Sequence, residues 1–419
     1  MSDNLPATRG ESAVATAEPS LPPATVTETP PPAVSGVKLG PSPLIKPKRG
    51  VPAKAEKAAP PALAAGEIPR KDLHQALKFL ARIAEKRQTL PILTDVLFED
   101  GALLATDLDI GLRVFIPEVK PLAAAVPTKL LRDCVGRGKS PGVTIRSANH
   151  EKVPFNVVVD DAVVIGHDGK EFPSIPMLDG MKGSAKVAEL PSLEPILPAV
   201  CVDGTRINLS GVYLRFCRNM AVATDGHRLH RMRILGATIE GDFLIPKKVV
   251  ELIDDIAAAT KSPAFGHFYK DACSFRSGNY EVTSRYIEGT FPDYDQVIPK
   301  ESPHNIEVDR AAIIEALTAS LPFSTERANG VKLELKKDKL TLSKQHPDLG
   351  TFTRTFPCYR AKGVELGDTS IGLNANYFLD ALRFVKDQTV AIQMNDDANP
   401  MVIETHDKSL LFVVMPMRL

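Results

Sequence analysis

The stretch Ala223-Thr224-Asp225-Gly226-His227-Arg228-Leu229 decides the fold, because a shorter copy, Ala105-Thr106-Asp107, stands 118 residues upstream. Pro127-Thr128-Lys129 is matched by Pro246-Lys247-Lys248, 119 residues on, and Glu171-Phe172-Pro173 by Thr290-Phe291-Pro292 at the same offset. Landmarks that recur in one order at one spacing mark a duplicated unit of ordinary domain size. Two copies leave room for a third within 419 residues. The expected organisation is a tail over 1–65 and domains over 66–185, 186–303 and 304–419.

The tail holds 13 of the 35 prolines and no Phe or Tyr, so it lacks the apolar surface to offset its ordering entropy and is expected to be disordered. Its patch Lys46-Pro47-Lys48-Arg49 reads as solvated linker. Beyond it, 43% hydrophobic and 24% charged residues describe a soluble globular chain. No run of eighteen apolar residues occurs, and the start has no basic segment followed by an apolar one, so a cytoplasmic location is expected. The five cysteines are widely spaced without Cys-x-x-Cys, which suits reduced thiols rather than a disulfide framework or a zinc site. Lys+Arg and Asp+Glu are both 51, which argues against holding DNA by a broad basic surface alone.

Hydrophobic spacing gives each unit the order helix, strands, helix, strands, so the class is α+β with antiparallel sheet. Leu73, Leu77, Leu80 and Ala84 share one helix face. Pro127 opens a second helix, whose expected buried face is Leu130, Leu131, Cys134 and Val135. The second unit's first helix contains Pro195 and Pro198 and is expected to be short or distorted. Its second helix runs from Pro246 to Ala259. In the third unit, Asp309 and Asn374 are expected N-caps, the latter before Phe378, Leu379, Leu382 and Val385. The chain ends on an apolar strand and Met415-Pro416-Met417-Arg418-Leu419, although termini are normally polar.

Asp225, His227 and Arg228 invite a catalytic or metal-binding reading. The further ligands of a metal site and the placed Ser or Cys of a nucleophilic triad are missing. A hydrolase using Asp225 and His227 is therefore set aside, and Asp225-Gly226 reads as a tight turn between strands 220–224 and 229–234. The upstream copy lacks the Gly-His-Arg-Leu part, so the shared residues are structural and the unshared ones are available for function. Gly136-Arg137-Gly138-Lys139-Ser140 resembles the end of a phosphate-binding loop, but Asp133 stands where its first Gly belongs and a helix, not a strand, precedes it. No catalytic residue, metal or cofactor is expected. Lysines recur at the starts of equivalent helices (Lys129, Lys247, Lys248), a repeated basic face that could meet phosphates. Leu209, Leu229, Pro292, Val297 and the apolar C-terminus could wall a peptide groove.

Four stretches carry a family resemblance: Thr89-Leu90-Pro91-Ile92-Leu93; Ala223 to Leu229; Phe291-Pro292-Asp293-Tyr294 with Val297-Ile298-Pro299-Lys300; and Val413-Val414-Met415-Pro416-Met417-Arg418-Leu419. Residues 66 to 419 resemble the beta subunit of bacterial DNA polymerase III, the replicative sliding clamp. The resemblance implies three similar domains, each of two helices packed on antiparallel sheet. It also implies a homodimer joined head to tail into a ring that encircles duplex DNA without enzyme activity. The implied DNA-side residues are Arg87, Lys129, Lys247 and Lys248. The implied groove for peptides of the polymerase, the clamp loader and other clamp-binding proteins comprises Leu209, Gly211, Thr224, Gly226, His227, Arg228, Leu229, Pro292, Val297, Val414, Met415, Pro416, Met417, Arg418 and Leu419. Phe323 stands where the family places an apolar subunit contact. The long tail, the two prolines, Gln296 in place of a groove arginine, and Ile207-Asn208 in place of aromatics depart from the family pattern. They motivate an alternative expectation, a diverged clamp-fold adaptor that binds peptides without encircling DNA.

Overall fold

Backbone hydrogen bonding joins the repeats. In the computed structural model, which describes residues 66–84, 90–148, 155–175, 186–234, 239–300, 304–324, 329–360 and 368–419, two nine-stranded antiparallel sheets each combine strands from two successive repeats. The first is joined where Ile110–Phe115 pairs with Tyr280–Arg285, Leu112 facing Val282. The second is joined where Arg228–Arg233 pairs with Leu410–Val414, His230 facing Phe412. Both junctions follow one rule. The strand leaving the Thr-Asp turn of one repeat takes the last strand of the next.

Of three shorter sheets among the described residues, one pairs Ile68–Pro69 with Gly142–Val143 and the other two lie at the ends of this series. A three-stranded sheet of the first repeat finishes on Ala162–Ile165, and a four-stranded sheet of the third finishes on Gly350–Pro357. Each of these strands is an edge with one side unpaired among the described residues. Val163 and Ile165 on the first edge are 63% and 67% exposed.

Among the described residues five α-helices cover the sheets: α1 Arg70–Ile83, α2 Thr128–Arg137, α3 Lys247–Thr260, α4 Arg310–Ser320 and α5 Ala375–Phe384. Their apolar residues recur every three or four positions and bury one stripe, as in Leu73, Ala76, Leu77, Leu80 and Ile83 of α1. Each leucine or isoleucine of such a stripe contributes about 1.5–3 kcal/mol on burial. Asp309 caps α4 by accepting from Ala312 N at 2.7 Å, and Asn374 caps α5 by accepting from Asn376 N at 2.9 Å. One expectation fails on α2. Leu131 and Val135 are buried, but Leu130 is 48% exposed. At 100° per residue, a stripe centred on 131 and 135 turns position 130 toward solvent.

Among the described residues the second repeat has no first α-helix. Glu194–Ala199 forms six residues of 3₁₀ helix with Pro198 inside. Proline supplies no N–H, so the carbonyl of Pro195 loses its i+3 partner. His230 Nδ1, 2.9 Å away, donates to that carbonyl instead.

Candidate functional site

Thr224 to Arg228 makes the turn the sequence led us to expect, and its hydrogen bonds say why these residues are needed. Thr224 Oγ1 accepts from Gly226 N at 3.1 Å and donates to Arg228 O at 2.7 Å. Asp225 Oδ1 accepts from His227 N at 2.9 Å and Arg228 N at 3.0 Å. Gly226 has φ +86°, and a Cβ there would also come 2.9 Å from the Arg206 guanidinium. Arg206 Nη1 in turn donates to Asp225 O at 3.0 Å.

The upstream copy repeats this wiring. Thr106 Oγ1 accepts from Leu108 N at 3.0 Å and donates to Ile110 O at 3.0 Å, and Asp107 Oδ1 accepts from Asp109 N and Ile110 N. Leu108 occupies the position of Gly226 at φ +82°. The Thr-Asp pair is therefore a structural device, and the residues that differ decide what each turn presents.

Arg228 ties its turn to the third repeat. Its Nε donates to Asp225 Oδ2 at 3.0 Å, its Nη1 to Asp380 Oδ2 of α5 at 2.6 Å, and its guanidinium lies 4.3 Å from the Tyr377 ring centroid. Burial raises the Tyr377 hydroxyl above its ordinary value. Tyr377 and Asp380 were missed by sequence reasoning, since nothing local links α5 to a turn some 150 residues earlier.

Leu209 and Leu229 are buried in an apolar layer with Val413, Leu411, Phe291 and Tyr294. Above them Pro292 is exposed and Val297 is 40% exposed. His227 and Gly226 are exposed, Arg228 is half-buried, and Thr224 and Gly211 are buried at the margin. Strand alternation divides the final strand. Val413 faces this layer, whereas Val414 turns into the core under α4 and α5.

The C-terminal residues then leave the sheet. Met415 N donates to His227 O at 2.9 Å and Met417 N to Gly372 O at 2.8 Å. A Cβ at Gly372 would run into the Met417 carbonyl, so the close crossing needs glycine. Met415, Pro416 and Met417 are half-buried, while Arg418 and Leu419 are exposed. Leu419 borders a cavity of about 570 Å³ shared with Phe323, Lys332 and Lys344. Phe323 is half-buried, its ring 6.1 Å from that of Phe352.

Of the candidate DNA-side residues, Lys129 is exposed in the first turn of α2. Lys247 and Lys248 open α3. Lys247 Nζ lies 3.8 Å from Glu251 Oε1, and Lys248 Nζ lies 2.7 Å from Asp107 Oδ2 across the first junction. Arg87 falls outside the described residues. The Gly136–Ser140 segment is held by Arg70, which donates to the carbonyls of Val135, Ser140 and Gly142 and to Asp160, so those carbonyls point inward and a phosphate cradle of N–H groups is not formed there.

The chain is similar to known proteins over most of its length. The model of the DNA polymerase III beta subunit central domain matches residues 193–293, and that of its C-terminal domain matches 295–418. The beta sliding clamp of Synechococcus elongatus is 26% identical over 369 residues, covering 83% of this chain and 97% of that one. That of Pseudomonas putida is 26% identical over 373 residues, covering 84% and 99%. Among solved structures, the sliding clamp from Bartonella birtlesii bound to griselimycin is 26% identical with a TM-score of 0.75, covering 84% of this chain and 99% of that one. The clamp from Bacillus subtilis, 21% identical, shares the fold with a TM-score of 0.76 over 84% and 98%. With family models spanning more than half of its length and the clamp fold throughout the matched part, this chain belongs to the DNA polymerase III beta subunit family and is a sliding clamp, a non-catalytic processivity factor.

Proposed function

We propose that two copies of this chain, joined head to tail, close a ring around duplex DNA and tether the replicative polymerase to it. The observation that carries this reading is the junction rule. Within the chain, the strand after the turn of one repeat pairs with the last strand of the next, twice. The two strands left over, Gly350–Pro357 and Ala162–Ile165, are the pair that the rule would join next. One chain offers each at an opposite end, so only a second copy can satisfy both, and exposed apolar edges favour pairing. Phe323, next to Phe352 under the first of these strands, is the apolar subunit contact in this reading.

Helices then line the hole. Arg87, Lys129, Lys247 and Lys248 would meet phosphates without reading sequence, and zero formal charge suits retention by enclosure rather than by tight ionic binding. The domain boundaries fall at 66–185, 186–303 and 304–419, after a 1–65 tail. The layer around Leu209 and Leu229, rimmed by Pro292, Val297, His227, Arg228 and the C-terminal residues, takes short apolar peptides of the polymerase, the clamp loader and other partners. Among the described residues no helix is long and apolar enough to cross a membrane, and we place the protein in the cytoplasm.

The test is loading onto nicked circular DNA by a clamp loader, followed by linearisation and gel filtration. Co-elution with the circle and release on cutting is the expected result. Failure to stay on the circle would overturn the ring.

A further inference from the structure

Each covalent junction carries an ionic latch on its turn. In the first, Asp107 spends Oδ1 on the N–H groups of Asp109 and Ile110 and offers Oδ2 to Lys248 in the first turn of α3, at 2.7 Å. In the second, Asp225 spends Oδ1 on the N–H groups of His227 and Arg228 and offers Oδ2 to Arg228, which reaches Asp380 of α5. The equivalent turn of the third repeat lies between Lys339–His346 and Gly350–Pro357. There His346 Nδ1 accepts from Asp348 N at 3.1 Å and Leu349 N at 3.2 Å, the same i+2 and i+3 pattern. An imidazole thus occupies the place of the carboxylate.

We propose that His346 makes the intermolecular junction the one without an ionic latch, so that the ring parts there. The inference rests on the ring reading above. Under the junction rule, Leu112 against Val282 and His230 against Phe412 translate to Phe352 against Val164 of the partner subunit. The partner's Lys129, which stands 119 residues before Lys248 at the same helix position, then arrives at His346. A ring nitrogen that accepts two N–H bonds carries no proton, so the imidazole bears its proton on Nε2. It presents a donor to an ammonium, which is itself only a donor, and no ion pair forms. Asp348 does not take over this role. It stands in the place of Asp109, whereas Lys248 takes Asp107. Lys129 is thereby left for phosphate, unlike Lys248.

The experiment is a double-mutant cycle on the dimer dissociation constant of the full chain, measured by analytical ultracentrifugation. The third loop is one residue longer than those at 107 and 225, His346 facing Gly350, and His346→Asp offers an oxygen to the same two N–H groups there; a thermal melt checks that the fold is kept. His346→Asp is expected to tighten the dimer about three- to tenfold. Lys129→Ala in the wild-type background leaves the constant within about twofold, and Lys129→Ala added to His346→Asp abolishes the gain. The proposal is overturned if His346→Asp gives no tightening, if its gain survives loss of Lys129, or if Lys129→Ala alone weakens the dimer. A wild-type chain that stays monomeric at every concentration would overturn the ring reading itself.

Discussion

The turns at 106–110 and 224–228 share a threonine, an aspartate and the same four kinds of hydrogen bond, yet they are tied to the next repeat in different ways. In the first, Leu108 fills the left-handed position and the junction is closed by a lysine from the next helix. In the second, Gly226 fills that position, and an arginine from the turn itself spans Asp225, Asp380 and the Tyr377 ring. A lysine makes one point contact. The planar fork of arginine fixes two carboxylates and an aromatic face at once. Duplication supplied the turn, and divergence at two positions tied one copy to α5 of the third repeat through its own arginine.

The largest effect should come from breaking that fork. Arg228→Ala leaves Asp225 without its cation, leaves Asp380 with the exposed Arg383 alone, and takes the stacking partner from Tyr377, a loss of about 2 kcal/mol. Affinity for a labelled short apolar peptide of the polymerase, followed by fluorescence anisotropy, is expected to drop at least tenfold while the dimer persists. Lys248→Ala, the matching change in the first junction, should leave peptide affinity intact. If both variants bind peptide like the wild type, the groove assignment fails.

The junctions also differ one step along the strand, where Leu112 in the first corresponds to His230 in the second. His230 is fully buried, edge-on to Phe412, with Nδ1 on the Pro195 carbonyl, and burial pushes its pKa down to about 4 from an ordinary 6.5. The folded state therefore holds the ring neutral while the unfolded chain takes up a proton first. Stability from this group is intact above pH 6.5, falls as pH drops from there to about 4, and changes no further below; the total is on the order of 3 kcal/mol. Urea midpoints between pH 7.5 and 4.5 should fall more steeply for the wild type than for His230→Leu. The variant's midpoint at neutral pH should itself be lower, since the Pro195 carbonyl loses its donor. Equal slopes would break the assignment.

How much of this was legible in advance follows from what is local. Thr224, Asp225 and Gly226 encode a turn by their own hydrogen bonds and φ, and Asp309 and Asn374 encode caps within three residues, so both could be read from the chain. Pro195 and Pro198 announced the collapse of a helix because a missing N–H is a property of the residue. Tyr377 and Asp380 could not be found, because their relation to Arg228 exists only once two repeats share a sheet. Val413 and Val414 show a finer limit. An unbroken apolar run hides the two-residue alternation that sends one side chain to the layer around Leu209 and Leu229 and the other to the core under α4 and α5. Leu130 shows the same for a helix, where adjacent leucines leave the stripe ambiguous by one position.

The smallest effects test the left-handed position itself. Gly226→Ala must adopt φ +86° with a Cβ 2.9 Å from a guanidinium, and should cost about 1–2 kcal/mol. Leu108 already endures that strain at φ +82°, and its side chain is 45% exposed, so little packing is lost by removing it. Leu108→Gly relieves the strain but gives the unfolded chain more freedom, two terms of opposite sign and each about 1 kcal/mol. The net change in unfolding free energy from urea titration should be near zero, within about 0.5 kcal/mol, in contrast to the clear loss for Gly226→Ala. A loss of 2 kcal/mol or more in Leu108→Gly would mean that the leucine side chain itself stabilises the first junction, and the two turns would then differ in packing as well as in chemistry.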